Sequence, residues 1–184
     1  MTLSMAVTKL SDFKIGFSDQ FFFDTNVWLL LFGTVADYQQ KDQLQYSKFL
    51  EQLLTQDKPL FLTSLVLSEF SNVLLRRDFN QWIDSNSHVG KNFKKDFVGT
   101  DVYQNSVASI TVAINKILRL PIVTLVSDNF NAVNNTSILE DFKKIDYNDA
   151  YIAELSRLNN YKIVTNDGDF KLLEAKVEII TTQV

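Results

Sequence analysis

The chain has 184 residues, 46% of them hydrophobic and 22% charged, which suits one domain with a real core and argues against disorder. It has no cysteine and one histidine, His88, so disulfides, thiolate zinc sites, histidine metal sites and Ser-His-Asp triads are hard to build. A net charge of −4 speaks against binding nucleic acid by overall charge but leaves room for local basic patches.

Residues 1–19 carry no clear pattern and are expected to form an N-terminal extension on a domain spanning 20–184. They lack the basic, apolar, small-residue order of a signal peptide, and no run is apolar enough to span a membrane, so a cytoplasmic protein is expected. Three phenylalanines then run into one acid, Phe21-Phe22-Phe23-Asp24. A short apolar run closed by polar residues reads as a strand buried on both faces, here 20–24. Helices are expected over 26–32 and 35–56, the second from Tyr46, Phe49, Leu50, Leu53 and Leu54 at helical spacing. An apolar strip on these two helices is expected to be exposed and open to a partner. Lys58-Pro59 breaks the pattern, and 60–63 reads as a strand. Ser64 is expected to cap a helix to about 82, with Leu65, Phe70, Val73 and Leu74 as its core stripe. Residues 85–100, with His88, Lys91, Lys94 and Lys95, read as a polar loop. A helix over 101–118 stops before Pro121, and a strand over 122–126 follows. The remaining expectations are a weaker helix over 129–143, a helix from Asp146 to about 158, a strand over 161–165, a short helix over 170–175 and a strand over 177–181. Strands alternate with helices and no tight hairpin joins two strands, which is the signature of an α/β parallel sheet.

The carboxylates have ordinary explanations one at a time. Glu69 shares a helical face with Val66 and Val73, where a charge is costly unless it reaches water at an edge. Asp146 is a good N-cap, and Asp149 three residues later falls in the first turn, where the helix dipole favours it. Asp167 follows a strand as Asp24 does, but Asp167-Gly168 also makes a good turn. Asp169 precedes a helix and is most simply a cap. Taken together they suggest more. Asp24 and Asp167 end strands, and Glu69 and Asp149 point inward from helices next to strands. Four carboxylates converging without histidine or cysteine repel strongly, and a hard divalent cation is the usual answer.

In this order the pieces resemble the PIN-domain family of metal-dependent ribonucleases, especially its VapC-type toxin branch. They are Phe23-Asp24-Thr25-Asn26-Val27, the Ser64 to Arg76 helix holding Glu69, Asn148-Asp149-Ala150-Tyr151-Ile152-Ala153, and Ile163-Val164-Thr165-Asn166-Asp167-Gly168-Asp169-Phe170. The resemblance covers about 20–182. The stretch between Glu69 and Asp149 is longer than in compact toxins, and the first 19 residues are extra. The resemblance implies a three-layer α/β/α fold with a central parallel sheet of four to five strands. It also implies that Asp24, Glu69, Asp149 and Asp167 hold Mg²⁺ or Mn²⁺, with Asn26, Thr165, Asp169 and Asp146 in support. The implied activity is endonucleolytic hydrolysis of RNA phosphodiester bonds, as the toxin of a type II toxin-antitoxin pair. An antitoxin protein and a second copy of the chain, as a homodimer, are the implied partners. Arg76, Arg77, Lys91, Lys94 and Lys95 are candidate phosphate contacts, and Trp82, Phe93 or Tyr103 could stack on bases. A solvated loop explains the cationic cluster equally well.

Rivals fail on detail. A haloacid-dehalogenase-type phosphatase needs an aspartate two after the first, and position 26 is asparagine. A receiver domain needs adjacent acids after its first strand, where Asp24 stands alone. The alternative that survives is a catalytically inactive PIN-like RNA-binding or scaffold module.

Overall fold

The computed structural model describes residues 7–33, 39–85, 90–173 and 176–183. His88, the start of the helix expected from 35 and the end of the one expected to 175 lie outside them. Among the described residues, six strands form one sheet: β1 (Val7–Lys9), β2 (Phe21–Phe23), β3 (Leu60–Leu62), β4 (Val123–Leu125), β5 (Lys162–Thr165) and β6 (Ile179–Thr181). Their order is β1-β6-β5-β2-β3-β4, and every neighbouring pair is parallel. That is one strand more than the expected four to five. The extra one, β1, lies inside the segment read as an extension and pairs with β6 from Val7 opposite Ile179 to Lys9 opposite Thr181.

The sheet is flanked by α1 (Thr25–Phe32), α2 (Gln40–Thr55), α3 (Ser64–Ser85), α4 (Asp101–Leu118), α5 (Asn135–Asp141) and α6 (Tyr147–Asn159). The three phenylalanines of β2 show why it is central. Side chains alternate along a strand, so Phe21 and Phe23 share one face and Phe22 takes the other. Phe21 and Phe23 pack on Phe49 of α2, while Phe22 stacks against Tyr161. All three are fully buried. The Trp28 indole donates to the Phe23 carbonyl at 3.2 Å, which fixes the angle at which α1 leaves β2.

Three expectations change. Most apolar residues of α1 and α2 are core: Val27, Trp28, Leu30, Tyr46, Phe49, Leu50 and Leu53 are all buried, so among the described residues the main apolar stripe of these helices faces the sheet rather than a partner. Ser64 is the first residue of α3 rather than its cap, and its hydroxyl donates to Asp128 Oδ2 at 2.9 Å. Residues 93–97, expected in a polar loop, form a π-helical turn capped by Asn92. Phe97 is buried there against Phe79, Trp82, Phe93 and Tyr103. Phe93 and Phe97 stand four apart, so both reach one face, a spacing that Lys94 and Lys95 between them hide.

Candidate functional site

From β2 the chain moves to β3 and then β4 on one side, and returns to β5 on the other side of β2. The crevice at the carboxyl ends of β2 and β5 is therefore a topological switch point, where open parallel sheets bind ligands. Asp24 directly follows β2, and Asp167 lies two residues beyond β5. Glu69 comes from the second turn of α3, and Asp149 from the first turn of α6.

Polar neighbours orient three of these acids. Asp24 caps α1: the Thr25 amide donates to its Oδ1 at 2.6 Å, and the Thr165 hydroxyl donates to its Oδ2 at 2.9 Å. Glu69 Oε2 accepts from the Thr25 hydroxyl at 3.0 Å and from the Asn148 side-chain amide at 3.3 Å. Thr165 Oγ1 accepts from the Asp167 amide at 2.9 Å, so one hydroxyl links the Asp24 carboxylate to the Asp167 loop. Asn26 donates to Asp167 Oδ2 at 3.4 Å. Asp149 differs. Its backbone N–H is taken by Asp146, but among the described residues its carboxylate accepts no hydrogen bond, although the residue is only 7% exposed.

The electrostatics follow from burial without a counter-charge. Burial pushes Asp24 up to about 7, aided by the charges of Glu69 and Asp167 and opposed by the hydrogen bonds from Thr165 and Thr25. Asp149 is pushed up to about 9, first by burial and then by Asp24, Asp146, Asp167 and Glu69. Glu69 is raised by burial and by Asp146, against the bonds from Thr25 and Asn148. No lysine or arginine among the described residues forms an ion pair with any of the four. Nor does any group of three or more acidic or histidine side chains there stand close enough to cage an ion. The donor set itself, carboxylate oxygens with no nitrogen or sulfur, fits a hard divalent cation.

The supporting residues divide. Thr165 and Asn26 bond the acids directly, and Asp146 caps α6 as expected, with Oδ1 3.0 Å from the Asp149 amide. Asp169 is not the cap of the 3-10 turn Asp169–Leu173. Asp167 Oδ1 accepts the Asp169 amide at 2.8 Å, and Asp169 itself is exposed. Thr25 and Asn148 were missed as partners of Glu69, although both stand beside an acid that was singled out. Of the cationic candidates, Arg77 pairs with Asp78, Lys91 with Asp96, and Arg76 lies over the Phe93 ring. Lys94 and Lys95 are exposed on the π-helical turn. Trp82, Phe93 and Tyr103 are packed into the cluster around Phe97 rather than presented singly for stacking.

An acid-lined crevice stands at the switch point of this parallel α/β sheet. The chain belongs to the PIN-domain family: the family model, described as "PIN domain", matches residues 21–176. PIN domains are generally nucleases. The chain is also similar to the solved structure of VapBC2 from Rickettsia felis bound to a DNA fragment from their promoter, at 15% identity over 88% of this chain and 97% of that one, with a TM-score of 0.49. PAE2754 from Pyrobaculum aerophilum is similar at 12% identity over 93% of this chain and 89% of that one, with a TM-score of 0.48. No curated protein matches the chain.

Proposed function

We propose that the protein is a metal-dependent endoribonuclease that hydrolyses RNA phosphodiester bonds, with Asp24, Glu69, Asp149 and Asp167 holding Mg²⁺ or Mn²⁺. The observation that carries this reading is the Asp149 carboxylate, mostly buried and raised by the charges of Asp24, Glu69 and Asp167, with neither a hydrogen bond nor an ion pair among the described residues. Such an arrangement is costly for a protein that leaves it uncompensated, and a divalent cation resolves it.

When bound, the cation supplies charge for the phosphate in the transition state and activation of an attacking water. The chain's part is to hold its ligands still. Thr25 serves two acids at once, its amide holding Asp24 and its hydroxyl holding Glu69. Thr165 ties Asp24 to the loop of Asp167. Tyr46, reaching from α2, donates to the Thr165 carbonyl at 2.6 Å and accepts from the Thr182 amide at 3.2 Å, so β5, β6 and α2 brace that loop together. Ligands oriented in this way lose little freedom when the cation arrives.

The finer reading is the toxin of a type II pair, acting as a homodimer and held by an antitoxin protein. It is supported by the motif resemblance to the VapC-type branch. Induction in a host should arrest growth, and Asp24→Asn should abolish the arrest. The primary test uses purified protein and single-stranded RNA. Cleavage is expected with Mg²⁺ or Mn²⁺ and none with EDTA, and Asp24→Asn should bring cutting to background. If the parent binds RNA but cuts it with neither metal, the inactive binding module replaces this reading.

A further inference from the structure

Trp82, Phe93 and Tyr103 are packed away around Phe97, but other rings stand open at the rim of the acid crevice. The turn from α5 to α6 reads Phe142-Lys143-Lys144-Ile145-Asp146, and Tyr147 opens α6. Ile145 is buried and anchors the turn, while Phe142 is 50% and Tyr147 39% exposed. The two rings meet edge to face with centroids 5.7 Å apart, and Tyr147 leans on Tyr151 at 6.2 Å. The Tyr151 hydroxyl is fixed in turn, donating to the Asp128 carbonyl at 2.8 Å. The corner is therefore held in place without being covered. Leu139, three residues before Phe142 and exposed, extends the same side. One exposed apolar side chain is ordinary, but a group of them is a patch. Its place matters as much as its exposure. Asn148, next to Tyr147, donates to Glu69 Oε2 at 3.3 Å, and Asp149 follows it. Phe17 is more exposed still, but it lies over Lys58, ahead of β3, at the opposite end of the sheet from the acids.

We infer that Phe142 and Tyr147 form a stacking platform that takes one unpaired nucleobase of single-stranded RNA where the strand passes the rim of the acid crevice. The inference rests on the nuclease reading and names where that substrate is held outside the acids. Aromatic faces accept bases of any identity, because every base has a π-face. Rings that meet edge to face cannot both join one stack. The corner therefore takes a single base, stacked on Phe142, the more open ring, with Tyr147 beside it. Lys143 and Lys144 follow Phe142 and are exposed, which suits a backbone phosphate next to the stacked base. Lys143 pairs with Glu140 at 2.8 Å, but an exposed pair of this kind is too weak to withhold it from a phosphate. Lys144 forms no ion pair among the described residues. Glu140 and Asp146 offset part of this charge, so the rings rather than the lysines carry the recognition. A protein is the other occupant such a patch could take. The lysines and the adjoining crevice favour the nucleic acid.

The test uses fluorescence anisotropy in EDTA, where nothing is cut. It compares a labelled RNA hexamer of A with an abasic ribose-phosphate hexamer, which has the same phosphates and no bases. The parent should bind the A hexamer about tenfold more tightly. That ratio should hold as salt is raised, since stacking releases no counterions. Phe142→Leu keeps an apolar side chain but has no π-face, and it should bring the A hexamer close to the abasic one. Phe142→Tyr should keep the preference. Phe142 is half exposed, so neither change enters the core, and urea melts and Mn²⁺ affinity by calorimetry should match the parent. Equal binding of the two hexamers by the parent overturns the inference, and so does a Phe142→Leu variant that keeps the preference. If that variant keeps it but falls from dimer to monomer in light scattering, the patch joins two copies of the chain instead. A preference for bases without any metal-dependent cutting would leave the platform standing and remove the nuclease reading. Metal-dependent cutting with no such preference would do the reverse.

Discussion

Asp24→Asn should make the metal-free protein clearly more stable at pH 8.5 and leave it close to the parent at pH 5. Asp24 is buried, and its carboxyl rises from 3.8 to about 7. A raised acid favours the folded state most below its unfolded value, near pH 4, and that contribution is lost as pH climbs through about 7. Roughly three pKa units at 1.36 kcal/mol each amount to about 4 kcal/mol across that window. Asparagine has no proton to lose, so it escapes the cost. As an N-cap it still accepts from the Thr25 amide. The Thr165 hydroxyl loses its carboxylate acceptor, at a cost of about 1 kcal/mol. The net gain above pH 8 is then about 3 kcal/mol, or roughly 6–12 °C in Tm for a chain of this size. Thermal unfolding in EDTA at pH 5 and pH 8.5 measures it. Adding Mn²⁺ at pH 7 should close the gap: the parent gains about 3 kcal/mol at a hundredfold excess over Kd and the variant little. A difference between variant and parent that is the same at both pH values would refute the argument, because the burden would then not be the charge.

Thr25→Val should cut metal-dependent cleavage about tenfold while costing about 1 kcal/mol of stability, since it removes the hydroxyl that aims Glu69 but keeps the shape; steady-state kinetics beside a urea melt checks both. Lys94→Ala should weaken RNA binding and lower the salt slope by about one, with Mn²⁺ affinity unchanged by calorimetry. Asp146→Ala should destabilise α6 by about 1 kcal/mol through loss of the cap, which urea unfolding reads. Light scattering at micromolar concentration should show a dimer; a monomer would remove the homodimer from the proposed function.

The architecture was legible because its signals are local. Phe21-Phe22-Phe23 could only be an interior strand, and the turn from apolar to acid marked its carboxyl end. The cap at Asp146 and the breaks at Pro59 and Pro121 marked the start of α6 and the ends of α2 and α4 for the same reason. What was hidden depends on contacts far apart in the chain. The three residues of β1 alternate too briefly to read as a strand, and only β6 gives them a partner. Phe97 looked like part of a lysine-rich loop because its burial comes from α3 and α4. Thr25 and Asn148 looked like helix-start residues, which they are, and only α3 packing alongside turns them toward Glu69. The apolar positions of α2 were read correctly as a stripe, but sequence spacing alone does not say whether a stripe meets the core or a partner.

The same geometry explains why the acids tolerate one another at all. Each sits near a helix N-terminus or a hydrogen-bond donor, which for Glu69 is the Thr25 hydroxyl and the Asn148 side-chain amide. Asp24 and Asp149 occupy helix N-terminal positions, where the dipole favours an anion. Asp167 is held through Thr165, Asn26 and the Asp169 amide. These contacts do not cancel the repulsion, since Asp24 and Asp149 remain raised. They limit it enough for a well-packed sheet to absorb the remainder. The core on both faces of β2 supplies that reserve, and it lies directly beneath the acids. Placing a fully buried strand directly beneath the acids lets one element both build the fold and position Asp24, so loss of β2 packing should loosen the acids before it unfolds the rest.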